Sequence, residues 1–224
     1  MECFKLKVNT LAYGKDQKTQ VFLSFIIKLM FNGFIMNEMA KKKSLTAQDW
    51  QDAALNVIAH QGVGAVAVEP LAREMGVTKG SFYWHFSNRI DLVKQALQRW
   101  RISDHELIKE KIVPIKDPKK RLLAWFKLSA EPIQSHLIYS TLLADRSHKF
   151  VSKILKEVTL ERLTYLQNSY KDIGYDNKQA KSLALMAYSV YVGFLHMSKT
   201  LYGSLPDSHD AEEYAQFVAK QLLS

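Results

Sequence analysis

Residues 71–92, LAREMGVTKGSFYWHFSNRIDL, constrain the fold of this 224-residue chain more than any other segment. The apolar residues before Gly76 have helical spacing, and the glycine supplies a turn that other residues resist. Thr78 then caps a second short helix, predicted over residues 79–84, which ends in an aromatic cluster. This pattern predicts two helices that pack at a steep angle, as they do in a helix-turn-helix unit.

Helical periodicity continues through most of the chain. Nine Gly and five Pro are few for 224 residues, and long stretches show helical spacing. We therefore expect an all-α protein of about nine helices, with an N-terminal three-helix helix-turn-helix domain and a C-terminal helical domain. The predicted helices span residues near 47–60, 68–75, 79–84, 89–112, 119–130, 134–145, 147–171, 177–202 and 208–223.

The chain divides into three predicted segments, which are an N-terminal extension at residues 1–40, the helix-turn-helix domain at 41–92 and a second helical domain at 93–224. The extension contains the most apolar run of the chain, residues 21–36, which includes Lys28. A membrane-spanning helix needs about twenty apolar residues, so we do not expect this run to span a membrane. Three interpretations stay open: an upstream extension or misassigned translation start, a helix that packs on the body or on a partner, and membrane contact.

Charge and cysteine content bound the function. The formal net charge is +9, and residues 41–101 carry nine Lys/Arg against five Asp/Glu, which indicates a polyanionic partner. Cys3 is the only cysteine, so no intramolecular disulfide can form, and we expect a cytoplasmic location. The sequence offers no metal-ligand spacing, no nucleophile–base pair and no Gly-rich phosphate loop. We therefore expect no enzyme, no catalytic residues, no metal and no cofactor.

The outer face of the second predicted helix carries the candidate contact residues. At helical spacing, Gly80, Tyr83 and Trp84 lie on the side away from the core aromatic residues. A glycine inside so short a helix costs about 1 kcal/mol relative to alanine. Either its missing side chain lets DNA approach the backbone closely, or it is a packing glycine. Thr78 and Lys79 lie at the helix N-terminus, where free N–H groups favour a phosphate.

Residues 46–92 resemble the DNA-binding domain of the TetR family of transcriptional regulators. The matching stretches are Ala53–Leu55, Leu71–Ala72, Gly76–Val77 and Thr78–Phe86, and the Tyr-x-His-Phe end of the last is the most specific. The resemblance implies contacts to the backbone of double-stranded DNA from Thr78, Lys79, Tyr83, His85 and Arg89. It also implies that the major groove is faced by Gly80, Ser81 and Trp84.

The resemblance further implies that the second helical domain binds a small molecule and forms a homodimer through its last two helices. Aromatic residues at helical spacing offer a lining for a pocket, although such residues also form ordinary core. The predicted pocket residues are Trp125, Phe126, Tyr139, Tyr165, Tyr188 and Tyr191. In residues 177–202, Ser182, Ser189 and Gly193 form a small-residue stripe flanked by alanines. The stripe admits either the helix of a partner subunit or a neighbouring helix of the same chain.

The sequence therefore predicts a dimeric, DNA-binding transcriptional regulator, and specifically a repressor that a small-molecule effector releases from its operator. Release would follow from linkage, because a ligand that prefers the conformation with weak DNA affinity lowers the affinity for the operator. The alternatives are a ligand-independent or activating regulator, and a protein associated with a membrane through residues 21–36.

Overall fold

Nine α-helices and a short 3-10 turn make up the described part of the chain, which in this computed structural model comprises residues 45–145, 148–202 and 207–223. The helices are α1 (Ala47–Gln61), α2 (Val68–Glu74), α3 (Lys79–Phe82), α4 (Arg89–Lys111), α5 (Pro118–Ala130), α6 (Gln134–Ala144), α7 (Lys149–Ile173), α8 (Asn177–Tyr202) and α9 (Ser208–Leu222). The 3-10 turn, Val63–Ala65, lies between α1 and α2. These residues contain no strand, so the predicted all-α fold is confirmed.

The predicted N-terminal extension, with its apolar run at residues 21–36, lies outside the described residues. Across the three described ranges, no helix combines the length and the apolarity that crossing a bilayer demands. The membrane-associated alternative concerned residues 21–36, which lie outside these ranges, and nothing in the described residues supports it.

Local sequence signals set several helix ends. The Thr46 hydroxyl accepts the backbone N–H of Asp49 at 3.2 Å, and the Asp49 carboxylate accepts the backbone N–H of Thr46 at 2.7 Å. This capping box opens α1 at the predicted residue. Gly62 ends α1 with φ +87°, and Gly76 makes the turn after α2 with φ +68°. The Asn88 side chain caps the first turn of α4.

Helix α3 is shorter than predicted, because it ends at Phe82 and leaves Tyr83 and Trp84 in the following turn. Thr78 occupies the predicted N-cap position, but its side chain accepts no capping hydrogen bond. Its carbonyl oxygen instead accepts two hydrogen bonds from Ser81, one from the backbone N–H at 3.1 Å and one from the hydroxyl at 2.8 Å. The first turn of α3 is therefore held by the Thr78 backbone and not by its hydroxyl.

Aromatic packing holds α3 against α1. The Phe82 ring is fully buried, with its centroid 5.3 Å from that of Trp50 in an edge-on contact and 5.4 Å from that of Phe86. A helix of four residues has no stability of its own, because nucleation is unfavourable and few backbone hydrogen bonds follow it. The position of α3 therefore depends on the burial of Phe82.

Helix α4 connects this unit to the rest of the chain, and it crosses the predicted domain boundary at residues 92/93. Its first half packs on α1 through buried Leu92, Val93, Ala96 and Leu97. Further along, the Trp100 indole donates to the Ser135 hydroxyl of α6 at 2.8 Å. Helix α1 also packs on α6, where the Thr141 hydroxyl donates to the Ala59 carbonyl oxygen at 2.9 Å. Residues 45–224 accordingly form one compact unit.

The substitution Phe82→Ala should lower the free energy of unfolding by about 3–5 kcal/mol, because it removes a fully buried ring and leaves a cavity. Urea denaturation of both proteins measures the difference. Trp84→Ala is the control, since Trp84 is 87% exposed and its loss should change stability by no more than about 0.5 kcal/mol. Equal stability of wild type and Phe82→Ala would show that α3 does not depend on this contact.

Candidate nucleic-acid interface and helical core cavity

The turn after α3 presents two large aromatic side chains to solvent. Trp84 is 87% exposed and Tyr83 is 57% exposed, whereas Phe82 and Phe86 on either side are buried. The other predicted residues of this face are exposed or half-buried, namely Thr78, Lys79, Gly80 and Ser81. The sequence-predicted face therefore exists as a continuous accessible surface, and exposed aromatic residues are typical of surfaces that contact a partner.

The structure does not support a packing role for Gly80. A Cβ atom added there would meet only the Thr78 hydroxyl oxygen, at an ordinary contact distance of 3.7 Å. The glycine also lacks a left-handed backbone, because positive φ values occur in the described residues only at Gly62, Gly76 and Gly174. Nothing inside the described chain requires glycine at this position.

Lys79 lies at the start of α3, paired with an acidic residue of α2. Its Nζ atom is 2.7 Å from the Glu69 carboxylate, and both side chains are more than half exposed. The hydrogen bond from Lys79 lowers the pKa of the Glu69 carboxyl group, so the pair is ionised. Solvent-exposed pairs of this kind contribute little to stability, so a phosphate can replace Glu69 at small cost.

Two predicted contact residues are engaged inside the chain. His85 Nε2 lies 2.9 Å from the Leu45 carbonyl oxygen, which accepts its hydrogen bond at the start of α1. The Arg89 guanidinium donates to the carbonyl oxygens of Val63 and Gly64 in the 3-10 turn, and to that of Val66 beyond it. Both side chains tie the chain that follows α3 to the backbone at the ends of α1, and their contacts to DNA stay a prediction.

A buried ion pair lies at the centre of the second half of the structure. The Arg162 guanidinium of α7 donates to the Asp104 carboxylate of α4 at 2.8 Å, and the two side chains are only 6% and 10% exposed. The Ser135 hydroxyl donates to the other Asp104 oxygen, and Arg162 also donates to the Tyr191 hydroxyl at 2.9 Å. The Arg162 guanidinium lies 4.4 Å from the ring centroid of Tyr139 and 5.2 Å from that of Tyr191. Helices α4, α6, α7 and α8 thus meet on one charged group.

The ion pair is ionised in spite of its burial. Burial alone would raise the pKa of Asp104, but the Arg162 charge and the hydrogen bonds from Ser135 and Arg162 hold it below its ordinary value. Beside the pair, burial and the Arg162 charge lower the pKa of His136 to about 4. His136 is therefore neutral at physiological pH, with Nδ1 placed 2.8 Å from the Glu131 carbonyl oxygen.

A groove of about 780 Å³ opens between α4 and α7 above this pair. Its walls are mainly apolar, and its lining includes Ile108, Val113, Val158, Leu160 and Tyr165. Asp104 and Arg162 form part of its base. The same two residues also line a void of only about 20 Å³ on the inner side, beside Trp125 and Tyr191.

The predicted pocket residues are distributed over three environments. Tyr165 lines the open groove, Trp125 and Tyr191 line the small inner void, and Phe126 with Tyr191 lines a second void of about 20 Å³. Tyr139 and Tyr188 are buried, and their hydroxyls hydrogen-bond to each other and to Thr159. Their assignment to an effector pocket stays a prediction.

Asp104 and Arg162 were not predicted from the sequence as functional residues. Their signal was present, because each charged residue lies at a core position of its helix. Trp100 and Ile108 flank Asp104 at four-residue spacing, as Val158 and Leu166 flank Arg162. A charge at a core-facing position implies a buried partner, and this implication was the available clue.

Helices α8 and α9 carry an exposed apolar face. Its members recur at helical spacing along α8 and continue onto α9, and they are Leu185, Met186, Met197, Leu201 and Phe217. Phe194 of α8 stacks on Tyr214 of α9 with centroids 4.8 Å apart, which joins the two helices in one surface. Ser182 and Ser189 lie exposed on this face, whereas the flanking Ala180, Ala184 and Ala187 are buried within the chain.

Helices α2 and α3, joined by the turn at Gly76, form a helix-turn-helix unit that exposes Tyr83 and Trp84. Residues 52–96 match the model of a family described as bacterial regulatory proteins, tetR family. Over 63 residues the chain is 36% identical to the HTH-type transcriptional regulator SrpR of Pseudomonas putida. That alignment covers 26% of this chain and 30% of SrpR, so the chain spans about a third of the relative that it matches.

Solved structures share the fold over most of the chain. One is a putative transcriptional regulator from Saccharomonospora viridis in complex with choline, with a TM-score of 0.67 and 14% identity over 78% of this chain and 95% of that one. Another is the transcriptional regulator FadR from Bacillus subtilis in complex with stearoyl-CoA, with a TM-score of 0.60 and 19% identity over 80% and 98%. The sequence of residues 52–96 thus matches the DNA-binding segment of the tetR family, and the fold of the described chain is shared with these regulators.

The pH dependence of stability should report the neutral buried state of His136. As the pH falls from about 6.5 to about 4, the unfolded chain binds a proton that the folded chain does not, so stability present above pH 6.5 is lost. The loss from this group should approach about 3 kcal/mol, at 1.36 kcal/mol for each unit of pKa difference. Urea denaturation across this pH range measures it.

The matched variant is His136→Gln, which keeps a hydrogen-bonding side chain but does not titrate. Its stability should fall less steeply between pH 6.5 and pH 4 than that of the wild type, whatever its stability at neutral pH. Parallel pH profiles for the two proteins would contradict the assignment.

Proposed function

We propose that this chain is a DNA-binding transcriptional regulator that reads double-stranded DNA with the exposed face of α3 and the turn after it. The single observation that carries the proposal is the exposure of Trp84 and Tyr83 beside Gly80, whose missing side chain nothing in the described chain requires. Backbone that approaches DNA closely needs such a position, and exposed aromatic and hydroxyl groups can contact bases and phosphates. The match of residues 52–96 to the tetR family model supports it.

The DNA contacts divide by role. Thr78, Lys79 and Tyr83 supply polar groups for the phosphate backbone, and Gly80, Ser81 and Trp84 face the bases. His85 and Arg89 act first as positioning residues, because they tie the chain that follows α3 to the backbone before α1 and to the segment between α1 and α2. The basic excess of residues 41–101 adds a sequence-independent attraction that salt weakens.

The same proposal includes a homodimer formed through α8 and α9. The exposed apolar face, with Leu185, Met186, Met197, Leu201 and Phe217, supports it, because monomers rarely leave such a stripe in water. A two-fold axis through this face makes the contact self-complementary. It would also present two copies of α3 to half-sites about one helical turn apart, roughly 34 Å.

We also propose that a small molecule bound in the helical domain controls the affinity for DNA, in the sense of a repressor that is released by its effector. The groove between α4 and α7 and the predicted aromatic residues supply candidate sites. Structures of the same fold were solved in complex with choline and with stearoyl-CoA. The effector would act by binding the two conformations of the dimer with different affinities.

The reading face is tested with a duplex selected from a random-sequence DNA pool by the full chain. Gly80→Ala should weaken binding to this duplex by roughly tenfold or more, since one lost base contact is typically worth 1–3 kcal/mol. Because its Cβ atom meets no close neighbour, the variant should keep its stability or gain up to about 1 kcal/mol. Fluorescence anisotropy measures binding, and urea denaturation measures stability.

Gly64→Ala is the matched control, because its Cβ atom would meet nothing within 4 Å and it lies in the 3-10 turn away from α3. It should bind the selected duplex as the wild type does. Unchanged DNA affinity of Gly80→Ala, or failure of the wild type to enrich any sequence, would overturn the proposed reading face.

The dimer is tested by Leu185→Glu, which places a charge in the centre of the exposed face of α8. The wild type should elute as a dimer in size-exclusion chromatography with light scattering, and the variant as a monomer, because burying an unpaired carboxylate is unfavourable. Ile102→Glu is the control, since Ile102 is 54% exposed on α4 and lies outside this face. A monomeric wild type, or a variant that remains dimeric, would refute the assignment of this face.

A further inference from the structure

We propose that the groove between α4 and α7 binds an apolar carboxylate whose head group takes the place of Asp104 on Arg162. The inference names the ligand chemistry of the effector site and so rests, for its effect on DNA binding, on the proposed function. Binding of the carboxylate itself is independent of that function.

The body of the ligand is set by the walls of the groove. Val113 and Leu160 are each more than half exposed, at 54% and 53%, although both are aliphatic. Ile108 and Val158 continue the apolar surface toward the base. A volume of about 780 Å³ accommodates a small molecule with an aliphatic or aromatic body, which would remove these side chains from water.

The head group is set by Arg162. A guanidinium carries five N–H donors, and the structure gives partners for it in only two groups among the described residues, Asp104 and Tyr191. Arg162 itself is fixed, because the rings of Tyr139 and Tyr191 pack against it. Arg162 lines the groove, so an incoming carboxylate can first meet its remaining donors and then take over the hydrogen bond that Asp104 now accepts.

A cationic head group fits the same place poorly. It would have to pair with Asp104, but both Asp104 oxygens already accept hydrogen bonds, from Ser135 and from Arg162. It would also lie beside the Arg162 charge, which is buried and cannot move out of the aromatic contacts without exposing them. Two positive charges placed side by side repel each other strongly where solvent is excluded.

Displacement of Asp104 would reach the DNA-binding unit through α4. Asp104 and the neighbouring Arg101 connect α4 to α7, the latter through Glu157 and Glu161. Arg162 can satisfy one carboxylate charge at full strength, so a bound ligand displaces Asp104 from Arg162 and removes the buried link between the two helices. The first half of α4 carries the core of the helix-turn-helix unit, so its orientation would change with this link.

The binding test uses the full chain and three straight-chain carboxylates, octanoate, decanoate and dodecanoate, each below its micelle concentration. Decanol and decyltrimethylammonium have the same chain length as decanoate and serve as neutral and cationic controls. Calorimetry should show that at least one carboxylate binds, and that it binds at least about tenfold more tightly than both controls, because only the anion forms charge-assisted hydrogen bonds to Arg162. Binding of the cation in preference to the carboxylates, or of none of the carboxylates, would overturn the inference.

Two variants locate the site. Asp104→Asn removes the competing charge while keeping the shape of the side chain, so carboxylate affinity should rise about tenfold with little change for decanol. Leu160→Glu places a like charge on the exposed wall of the groove and should abolish carboxylate binding without affecting folding. Unaltered carboxylate affinity in Leu160→Glu would overturn the inference even if Asp104→Asn failed to fold.

A second readout separates this inference from the proposed function. If the chain selects a DNA sequence, the tightest carboxylate should lower the affinity for that duplex, and Asp104→Asn should need about tenfold less of it. Selection of DNA with no effect of the bound carboxylate would overturn the coupling through α4. Carboxylate binding that follows the two variants in a chain that selects no DNA would refute the proposed function and leave the ligand site standing.

Discussion

Helix α4 packs both in the helix-turn-helix unit and among the remaining helices, and this double role is the constraint on which the rest of the structure depends. The first half of α4 buries Leu92, Val93 and Leu97 in the helix-turn-helix unit. Its second half places Asp104 in the centre of the remaining helices. An α-helix transmits displacement because its hydrogen-bonded backbone bends little over a few turns. A displacement of the second half of α4 would therefore also shift α1, against which α3 packs.

The interior around Asp104 is unusual because its centre is charged. A buried ion pair is weak support for stability, since two well-packed apolar side chains of the same volume would often serve as well or better. Removing one partner alone is a different matter, because it leaves a charge without compensation and typically costs about 3–5 kcal/mol. Such a network tolerates the replacement of one carboxylate by another, but not the removal of the carboxylate without a replacement. That property suits a site where a ligand carboxylate substitutes for a protein carboxylate.

Local signals account for the parts of the fold that could be predicted. Thr46, Gly62, Gly76 and Asn88 act through their own side chain or backbone within a few residues, so the helix ends follow from the sequence. The end of α3 was wrong by two residues, because burial of Phe82 and the exposure of Trp84 depend on tertiary packing. The exposure of Tyr83 and Trp84 was predicted, since it follows from the periodicity of one short segment, and their contact with DNA stays a prediction.

Distant pairings could not be predicted in the same way. Asp104 and Arg162 are 58 residues apart, and the sequence shows only that each charge lies at a core position. The hydrogen bonds from Arg89 to the 3-10 turn and to Val66 could not be predicted either, because their acceptors are backbone carbonyls that any residue would offer. Some of the predicted aromatic residues line a cavity, whereas others pack in the core. The difference depends on helix positions to within about an ångström, and the periodicity of the sequence carries no such information.

Hydrogen–deuterium exchange of the full chain, with and without a duplex that it has selected, tests the central assignment most directly. Bound DNA should slow exchange of the backbone amides in residues 78–86, because α3 and the following turn are held against the duplex. The amides of α8 and α9 should be unaffected by DNA, because the proposed dimer would already cover them in the free protein. Protection confined to α8 and α9, with residues 78–86 exchanging as fast as in the free chain, would contradict a reading surface at α3.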